Sequence, residues 1–224
     1  MKNERPTAGF RFAAPWWGLI LGVLPFFAGC TTLTHKNIVN TILTEPVPGA
    51  ADAKSANFRL IGRASVKGGN ESFSGGVQWH HTESGDEILL LSPLGQTLAQ
   101  IQRNSEGVSL TTSEQEDYYA ADVESLTERV LGWRLPLMGL QYWVQGINSP
   151  TTASAIDMSI DGRVVAIRQD GWEIGYSSYF PPLPAQAMQA QTSQAQSARP
   201  KSLLLKRNGL QIKLVIDTWN PGNH

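Results

Sequence analysis

The stretch FRLIGRASVK, Phe58 to Lys67, decides the class of fold that this chain of 224 residues adopts. Its apolar and small residues alternate with Arg59, Arg63 and other polar residues, and a period of two with one polar face is typical of an antiparallel strand. The same alternation returns from Phe73 to Trp79. Lys67-Gly68-Gly69-Asn70 stands between the two runs and has the composition of a turn, so we predict a β-hairpin.

Outward from this hairpin, the chain continues as further short strands. Strand patterns lie at 88–91, 98–101, 107–112, 118–120, 156–160, 164–168, 172–176, 203–206 and 210–218. An Asn208-Gly209 pair joins the last two and is typical of a tight hairpin turn. A meander of this kind predicts a mostly antiparallel sheet.

The hydrophobic period changes once, in the middle of the chain. Apolar residues at positions 123, 126 and 130 have helical spacing, Asp122 is suited to cap the start, and Gly132 to end the helix. A second short helix is predicted from Pro136 to Gly146. We therefore expect a mainly β fold with a short helical insertion, in which a sheet of about ten strands closes over two helices and encloses an apolar cavity.

The N-terminus carries the pattern of a lipoprotein signal peptide. A basic start precedes an apolar run that ends at Phe27-Ala28-Gly29-Cys30, and Cys30 is the only cysteine. We expect residues 1–29 to be removed and the mature chain to begin at Cys30, with diacylglycerol and an N-acyl chain attached to it covalently. The alternatives are an uncleaved membrane anchor, although two prolines interrupt the run, and a buried free thiol.

The regions around the strands differ from them in composition. Residues 30–56 are polar, with Pro46 and Pro48 and no sustained period, which predicts a flexible tether before a β domain spanning 57–220. The segment 181–200 is rich in Pro, Gln, Ala and Ser and is predicted to be a mobile loop. It is either a gate over the cavity or a surface insertion.

Composition and motifs exclude several classes of function. Without the signal peptide the side-chain charge is about −3, and no basic stripe for nucleic acid is present. His80 and His81 are neighbours on a strand and point to opposite faces, so we interpret them as solvated turn residues that do not share a metal ion. Glu114, Glu116 and Asp117 form either a charged turn or, less commonly, paired carboxylates. We expect no enzyme activity, no metal and no diffusible cofactor.

The loop Ser92-Pro93-Leu94-Gly95-Gln96 is unusual, because it places a large apolar side chain between two turn-forming residues. Leu94 either folds back as a plug on the mouth of the sheet or projects as a finger that touches a membrane.

Taken together, several motifs resemble the LolB family, the outer-membrane receptors for lipoproteins. They are the signal-peptide end at Cys30, Phe58–Arg63, Phe73–Trp79, Ser92–Gly95, Leu131-Gly132 with Leu135–Leu137, Trp143–Gly146, Gly171-Trp172 with Tyr176, and Ile212–Leu214 running to Trp219.

The resemblance implies an incomplete β-barrel, open on one side and covered by helices, whose apolar cavity holds the acyl chains of a client lipoprotein. We expect the cavity to be lined by Phe73, Val77, Trp79, Leu126, Leu140, Trp172 and Ile174. The loop with Pro93, Leu94 and Gly95 corresponds to the family's membrane-insertion loop.

The resemblance also implies partners and a location. The expected partners are a periplasmic lipoprotein carrier like LolA, client lipoproteins and the inner leaflet of the outer membrane. The protein would be a monomer anchored to that membrane and facing the periplasm, and Thr31 after Cys30 is consistent with this address. Two alternatives stay open: a scaffold lipoprotein that only binds partner proteins, and a lipid-modifying hydrolase.

Overall fold

The computed structural model describes residues 38–49, 55–68, 71–181 and 199–222, all within the compact unit His35–His224. These residues form twelve strands and two helices. The strands are β1 (Ile38–Thr44), β2 (Phe58–Lys67), β3 (Phe73–Thr82), β4 (Gly85–Leu91), β5 (Thr97–Asn104), β6 (Gly107–Thr112), β7 (Asp117–Ala120), β8 (Ser154–Ser159), β9 (Val164–Gln169), β10 (Trp172–Tyr179), β11 (Pro200–Arg207) and β12 (Leu210–Pro221). The helices are α1 (Val123–Leu131) and α2 (Leu137–Trp143).

All twelve strands belong to one antiparallel sheet, in the order β1-β8-β9-β10-β11-β12-β2-β3-β4-β5-β6-β7. The outermost strands β1 and β7 do not pair with each other in the described part of the chain, so the sheet is open and does not close into a barrel. The prediction of a mainly β, antiparallel and open architecture with few helices is confirmed at this level.

The two hairpins with the clearest sequence signals form as predicted. β2 and β3 pair with Phe58 opposite His81 and Val66 opposite Phe73, and buried and exposed residues alternate along most of β2. At the turn between β11 and β12, Asn208 and Gly209 have φ values of 49° and 83°. A two-residue turn of this kind needs positive φ at both positions, which Asn and Gly tolerate best.

A strand at residues 38–44 corrects the prediction of a flexible tether over 30–56. This strand, β1, pairs with β8, with Ile42 opposite Ile156 and Thr44 opposite Ser154. It lies at the edge of the sheet and is exposed on both faces, so no buried face imposes a period of two on its sequence. For this reason the alternation that marks the other strands is absent from IVNTILT.

Some predictions fall on residues outside the described part of the chain. They concern the signal peptide 1–29, lipidation of Cys30 and the loop 181–200, of which only Pro181, Arg199 and Pro200 are described. These stay predictions. Of the described residues, neither helix is long and apolar enough to cross a membrane.

A continuous apolar core lies against the inner face of the sheet. Fully buried side chains come from strands along much of the order, including Leu60, Ile101, Ile167 and Leu203, and all belong to one cluster. One face of so many strands can be buried in a single cluster only if the sheet curves around that cluster. The sheet of this protein is therefore curved, with its core on the inner face. The helices add Leu126 and other side chains to the same core.

Two caps set the ends of α1, as the sequence predicts. Asp122 Oδ1 accepts a hydrogen bond from the Ser125 backbone N–H at 2.8 Å. Gly132 has a φ of 77°, and its N–H donates to the Glu128 carbonyl at 3.1 Å. The second helix is shorter than predicted, because α2 ends at Trp143 and a turn leads to Gly146.

Replacing Asp122 with alanine should lower the free energy of unfolding by about 1 kcal/mol, because the Ser125 N–H loses its acceptor. Asp122→Asn is the matched control, since it keeps a capping oxygen and should stay close to the wild type. Urea denaturation measures both variants. Equal losses of stability in the two would contradict the capping role.

Candidate functional site

An apolar pocket lies between the inner face of the sheet and the segment that includes α2. Apolar side chains alone line it: Leu60, Ala64, Val66, Phe73, Val77, Trp79, Ile88, Leu90, Trp133, Leu135, Leu140, Ile212 and Leu214. They come from four neighbouring strands, β12, β2, β3 and β4, and from the stretch between Trp133 and Leu140. The pocket volume is about 40 Å³. Because a cavity needs about 10–15 Å³ of such volume to hold one water molecule, the pocket in this conformation has room for only a few waters and is too small for an acyl chain.

The pocket contains four of the seven predicted cavity residues, namely Phe73, Val77, Trp79 and Leu140. The other three predicted residues do not line this pocket, and each is buried elsewhere in the core. Leu126 lies on α1, which packs against β6 and β7. Trp172 and Ile174 lie on β10, which β11 separates from the nearest lining strand, β12.

Other lining residues were missed because of nonlocal pairing. Ile212 and Leu214 alternate visibly in the sequence, but nothing local indicates that their strand lies beside β2, where Ile212 is opposite Val66. Trp133 and Leu135 lie in the connection between the helices, which has no period to interpret. Ile212 and Leu214 could have been found from the alternation along β12, which indicates the side chains that point to the inner face of the sheet.

Buried hydrogen bonds hold the C-terminal end of α2 against the sheet. Trp143 Nε1 donates to Gln169 Oε1 at 2.9 Å, and the Tyr176 hydroxyl donates to the Trp143 carbonyl at 2.8 Å. Burial raises the pKa of Tyr176 well above its ordinary value, so the phenol stays a neutral donor. These bonds fix the C-terminal end of α2, the helix that contributes Leu140 to the pocket.

The loop between β4 and β5 holds Leu94 out in solvent. The Gly95 N–H donates to the Ser92 carbonyl at 2.9 Å, and the Ser92 N–H donates to the Gln96 carbonyl at 2.8 Å, so the loop closes as a tight turn. Gly95 adopts a φ of 82°, a conformation that favours glycine. Leu94 is 88% exposed, which excludes the alternative in which it folds back as a plug.

A buried histidine corrects the interpretation of both His80 and His81 as solvated turn residues. His81 is buried, with Nε2 2.6 Å from Ser55 Oγ and Nδ1 2.7 Å from Asp86 Oδ1. The period-two pattern places His81 on the inner face and His80 on the outer face, as predicted for neighbours. Only the three-dimensional structure brings Ser55 and Asp86 to it.

Asp86 is the centre of this buried network. Besides His81, it accepts hydrogen bonds from Trp79 Nε1 at 2.8 Å and from Arg103 Nε at 2.7 Å. Burial raises the pKa of Asp86, but the hydrogen bond and charge of His81, with Trp79 and Arg103, outweigh burial and hold this pKa below its ordinary value. The carboxylate is therefore ionised and fully engaged.

In Ser55, His81 and Asp86, a serine contacts a histidine that in turn contacts an aspartate, as in the catalytic triad of a serine hydrolase. Their surroundings nevertheless favour a structural role. All three residues are buried, and neither Ser55 nor His81 lines the apolar pocket. The Ser55 contact attaches the chain before β2 to the sheet. Trp79 lines the pocket and donates to Asp86, so the network positions one wall of the pocket.

The acidic residues near β7 lie in the connection between β6 and β7 or, for Asp117, at the first position of β7. Asp117 Oδ1 accepts from the Thr111 hydroxyl at 2.6 Å, and Glu116 Oε2 accepts from the Tyr118 hydroxyl at 2.7 Å. These local bonds support the charged-turn interpretation over paired catalytic carboxylates. Within the residues that the structure describes, no group of three or more His, Cys, Asp or Glu side chains could hold a metal ion.

The fold and the site define a mainly β protein whose open sheet faces an apolar pocket. Residues 56–219 match the family described as outer membrane lipoprotein LolB. The chain is 40% identical over 201 residues to the outer-membrane lipoprotein LolB of Nitrosomonas europaea, covering 89% of this chain and 90% of the relative. The LolB proteins of Thiobacillus denitrificans (41% over 174 residues, 78% and 83% covered) and Chromobacterium violaceum (31% over 201 residues, 90% and 97% covered) are also similar. The chain therefore belongs to the LolB family.

This membership confirms the family that the motifs resemble. It also confirms that the protein is an outer-membrane lipoprotein with a function in lipoprotein localisation. The family is one of trafficking proteins and is not known for catalysis.

Proposed function

We propose that this protein accepts lipoproteins from a periplasmic carrier by binding their acyl chains, and then inserts them into the outer membrane. The observation that carries the proposal is the pocket between α2 and the sheet, whose lining is apolar throughout. An acyl chain gains about 0.8 kcal/mol per methylene on leaving water, so such a surface is its natural binding site.

Binding requires the pocket to expand, because its present volume is about 40 Å³. The sheet side is held by continuous strand ladders, so the helical segment is the side that moves. Gly132 and Gly146 flank this segment, with φ values of 77° and 78°. Hydrogen bonds anchor both of its ends, from Leu135 N–H to Thr127 Oγ1 and from Trp143 Nε1 to Gln169. Opening therefore displaces the middle of the segment, where Leu140 points into the pocket.

Transfer proceeds directly from the carrier's cavity to this pocket while the two proteins are docked. Passage of bare acyl chains through water would cost about 0.8 kcal/mol for every exposed methylene. With no chemical step to drive it, the direction of transfer follows from a difference in affinity, and the receptor must bind the acyl chains more tightly than the carrier does.

Cys30 anchors the receptor to the inner leaflet of the outer membrane, so that the domain faces the periplasm and works as a monomer. Two or more acyl chains give the stable attachment that a single chain does not. Leu94, at the tip of its loop, is the residue that perturbs the bilayer during insertion. Its exposure supports this role, since a large apolar side chain in water has no stabilising contact.

The decisive experiment mixes the mature Cys30→Ala protein with the carrier preloaded with a client lipoprotein. Separation of the two proteins then identifies which one holds the client. Client on this protein supports the proposal. Client remaining on the carrier, while circular dichroism indicates a folded receptor, would instead favour a scaffold that binds partner proteins without lipid transfer.

Filling the pocket should block acceptance. Ala64→Leu places extra methylene groups in the pocket and should lower client transfer about tenfold, since displacing two methylenes of an acyl chain costs about 1.6 kcal/mol. Ala166→Leu is the matched control, because Ala166 is half-buried on β9 and does not line the pocket. Thermal unfolding of both variants separates transfer from stability. Equal transfer by Ala64→Leu and the wild type would mean that the acyl chains do not bind in this pocket.

A further inference from the structure

The edge strand β1 presents an apolar surface that nothing in the described chain covers. Ile38, Val39, Ile42 and Leu43 are all exposed, Leu43 by 77%, and none of them belongs to the core cluster. Ile38 lies opposite Ser159, and the next residue, Ile160, is 86% exposed at the turn after β8. We call these five residues the β1 patch. Among the residues that the structure describes, no strand pairs with its outer edge, because β1 is the last strand of the sheet.

The charged side chains Asp157 and Asp161, which lie beside the β1 patch, are each paired with an arginine. β1 contains no charged residue, and Thr41 Oγ1 donates to Asp157 at 2.7 Å. The Asp157 carboxylate is paired with Arg168 at 2.6 Å, and beside Ile160 the Asp161 carboxylate is paired with Arg163 at 3.2 Å. The patch therefore brings no charge of its own to an apolar phase, and it offers no charge pattern that would select a protein partner.

The length of chain before β1 places this surface near a membrane. Ile38 stands eight positions after Cys30. Even a fully extended chain advances only about 3.3–3.6 Å per residue, so the anchored cysteine holds the start of β1 within about 29 Å of the bilayer. This step rests on the lipid anchor proposed above. Given that anchor, the bilayer is the apolar phase that is always within reach of the patch.

The β1 patch is distinct from the Leu94 loop. In the antiparallel order β1 and β4 run in the same direction, so the Leu94 loop follows the end of β4 at the opposite end of the strands from Ile38. The unpaired backbone of β1 cannot enter hydrocarbon, where its polar groups would lack partners, but it can lie among headgroups. We propose that the β1 patch is a second membrane contact, which rests edge-on at the interface of the bilayer that holds the anchor.

The test uses the full lipoprotein reconstituted in vesicles of phosphatidylethanolamine and phosphatidylglycerol. An environment-sensitive fluorophore is attached at Leu43→Cys, and for control at Tyr119→Cys, which is on the opposite edge strand and 69% exposed in the wild type. Mass spectrometry first establishes that Cys30 is acylated. We expect the emission of the label at position 43 to shift to shorter wavelength and to be quenched by lipids that carry a quencher on their headgroup. We expect neither effect for the label at position 119.

The outcomes separate this inference from the proposed function. An acylated, vesicle-bound protein whose position-43 label behaves like the position-119 label would overturn the membrane contact and leave the anchor intact. Shielding of position 43 without vesicles, together with cross-linked dimers, would overturn it in favour of a second copy of the chain. An unmodified Cys30 would remove the anchor itself and the inference with it.

Discussion

Replacing Leu94 with glutamate should leave acceptance of a client from the carrier unchanged and reduce its insertion into the outer membrane about a hundredfold. The change removes a side chain whose burial in lipid is worth about 1.5–3 kcal/mol and adds a carboxylate that the bilayer excludes. Leu94 is 88% exposed and does not line the pocket, so neither the fold nor the acyl site loses a contact.

The matched control is Tyr119→Glu, which adds the same charge at a position that is 69% exposed and lies on β7, two strands beyond β5. Acceptance is measured by separating the receptor from the carrier. Insertion is measured as client that resists alkaline extraction from vesicles containing the acylated receptor. Normal insertion by Leu94→Glu, or an equal defect in Tyr119→Glu, would contradict a specific role of Leu94.

Replacing Asp86 with alanine should lower the free energy of unfolding by about 3–5 kcal/mol. Two buried groups, Trp79 Nε1 and His81 Nδ1, and the partly buried Arg103 guanidinium lose their acceptor at once. The costliest part of this loss is that polar groups inside the fold are left without the charged partner that they pair with in the wild type. Because Trp79 lines the pocket, we also expect weaker acceptance of clients at temperatures where the variant is still folded.

The control is the neighbouring carboxylate Glu87, which is exposed and accepts a bond from Gln100 Nε2 at 2.9 Å. Glu87→Ala should change stability by no more than about 1 kcal/mol, as is usual for surface interactions. Urea denaturation of both variants provides the comparison. A loss below about 1 kcal/mol for Asp86→Ala would mean that the network does not stabilise the fold.

The same carboxylate predicts a dependence of stability on pH. The folded state holds the pKa of Asp86 below its ordinary value, which is about 3.9 in an unfolded chain. The stabilisation is therefore complete above that value and is lost as the pH falls through the lower folded pKa. In Asp86→Ala, stability below about pH 4 should decline less steeply than in the wild type. Parallel acid profiles would contradict this linkage.

Local signals in the sequence were sufficient for much of the fold. Asp122 and Gly132 mark both ends of α1, and Asn208-Gly209 marks the last hairpin, because each motif satisfies or shapes the backbone within a few residues. Pro93 and Gly95 also marked the turn that carries Leu94, although they left open whether Leu94 folds back or projects.

The lining of the pocket was only partly predictable. Val77 and Trp79 were identified because alternation along β3 indicates which side chains point inward. Alternation does not indicate which inward side chains meet, and so Trp172 and Ile174 were assigned to the pocket although β11 separates their strand from β12. Which inward side chains meet in one pocket depends on the order of the strands in the sheet.

The sequence by itself determined every strand except β1, together with the caps of α1, the hairpin turns and the family, because these depend on neighbours along the chain or on motifs in a fixed order. Tertiary structure alone decided three other features. β12 lies beside β2, β1 packs on β8 as an exposed edge, and His81 is buried between Ser55 and Asp86. Each of these brings together residues that are distant in sequence or on separate strands. Such contacts are selected by how the whole sheet buries its apolar face, which no local pattern encodes.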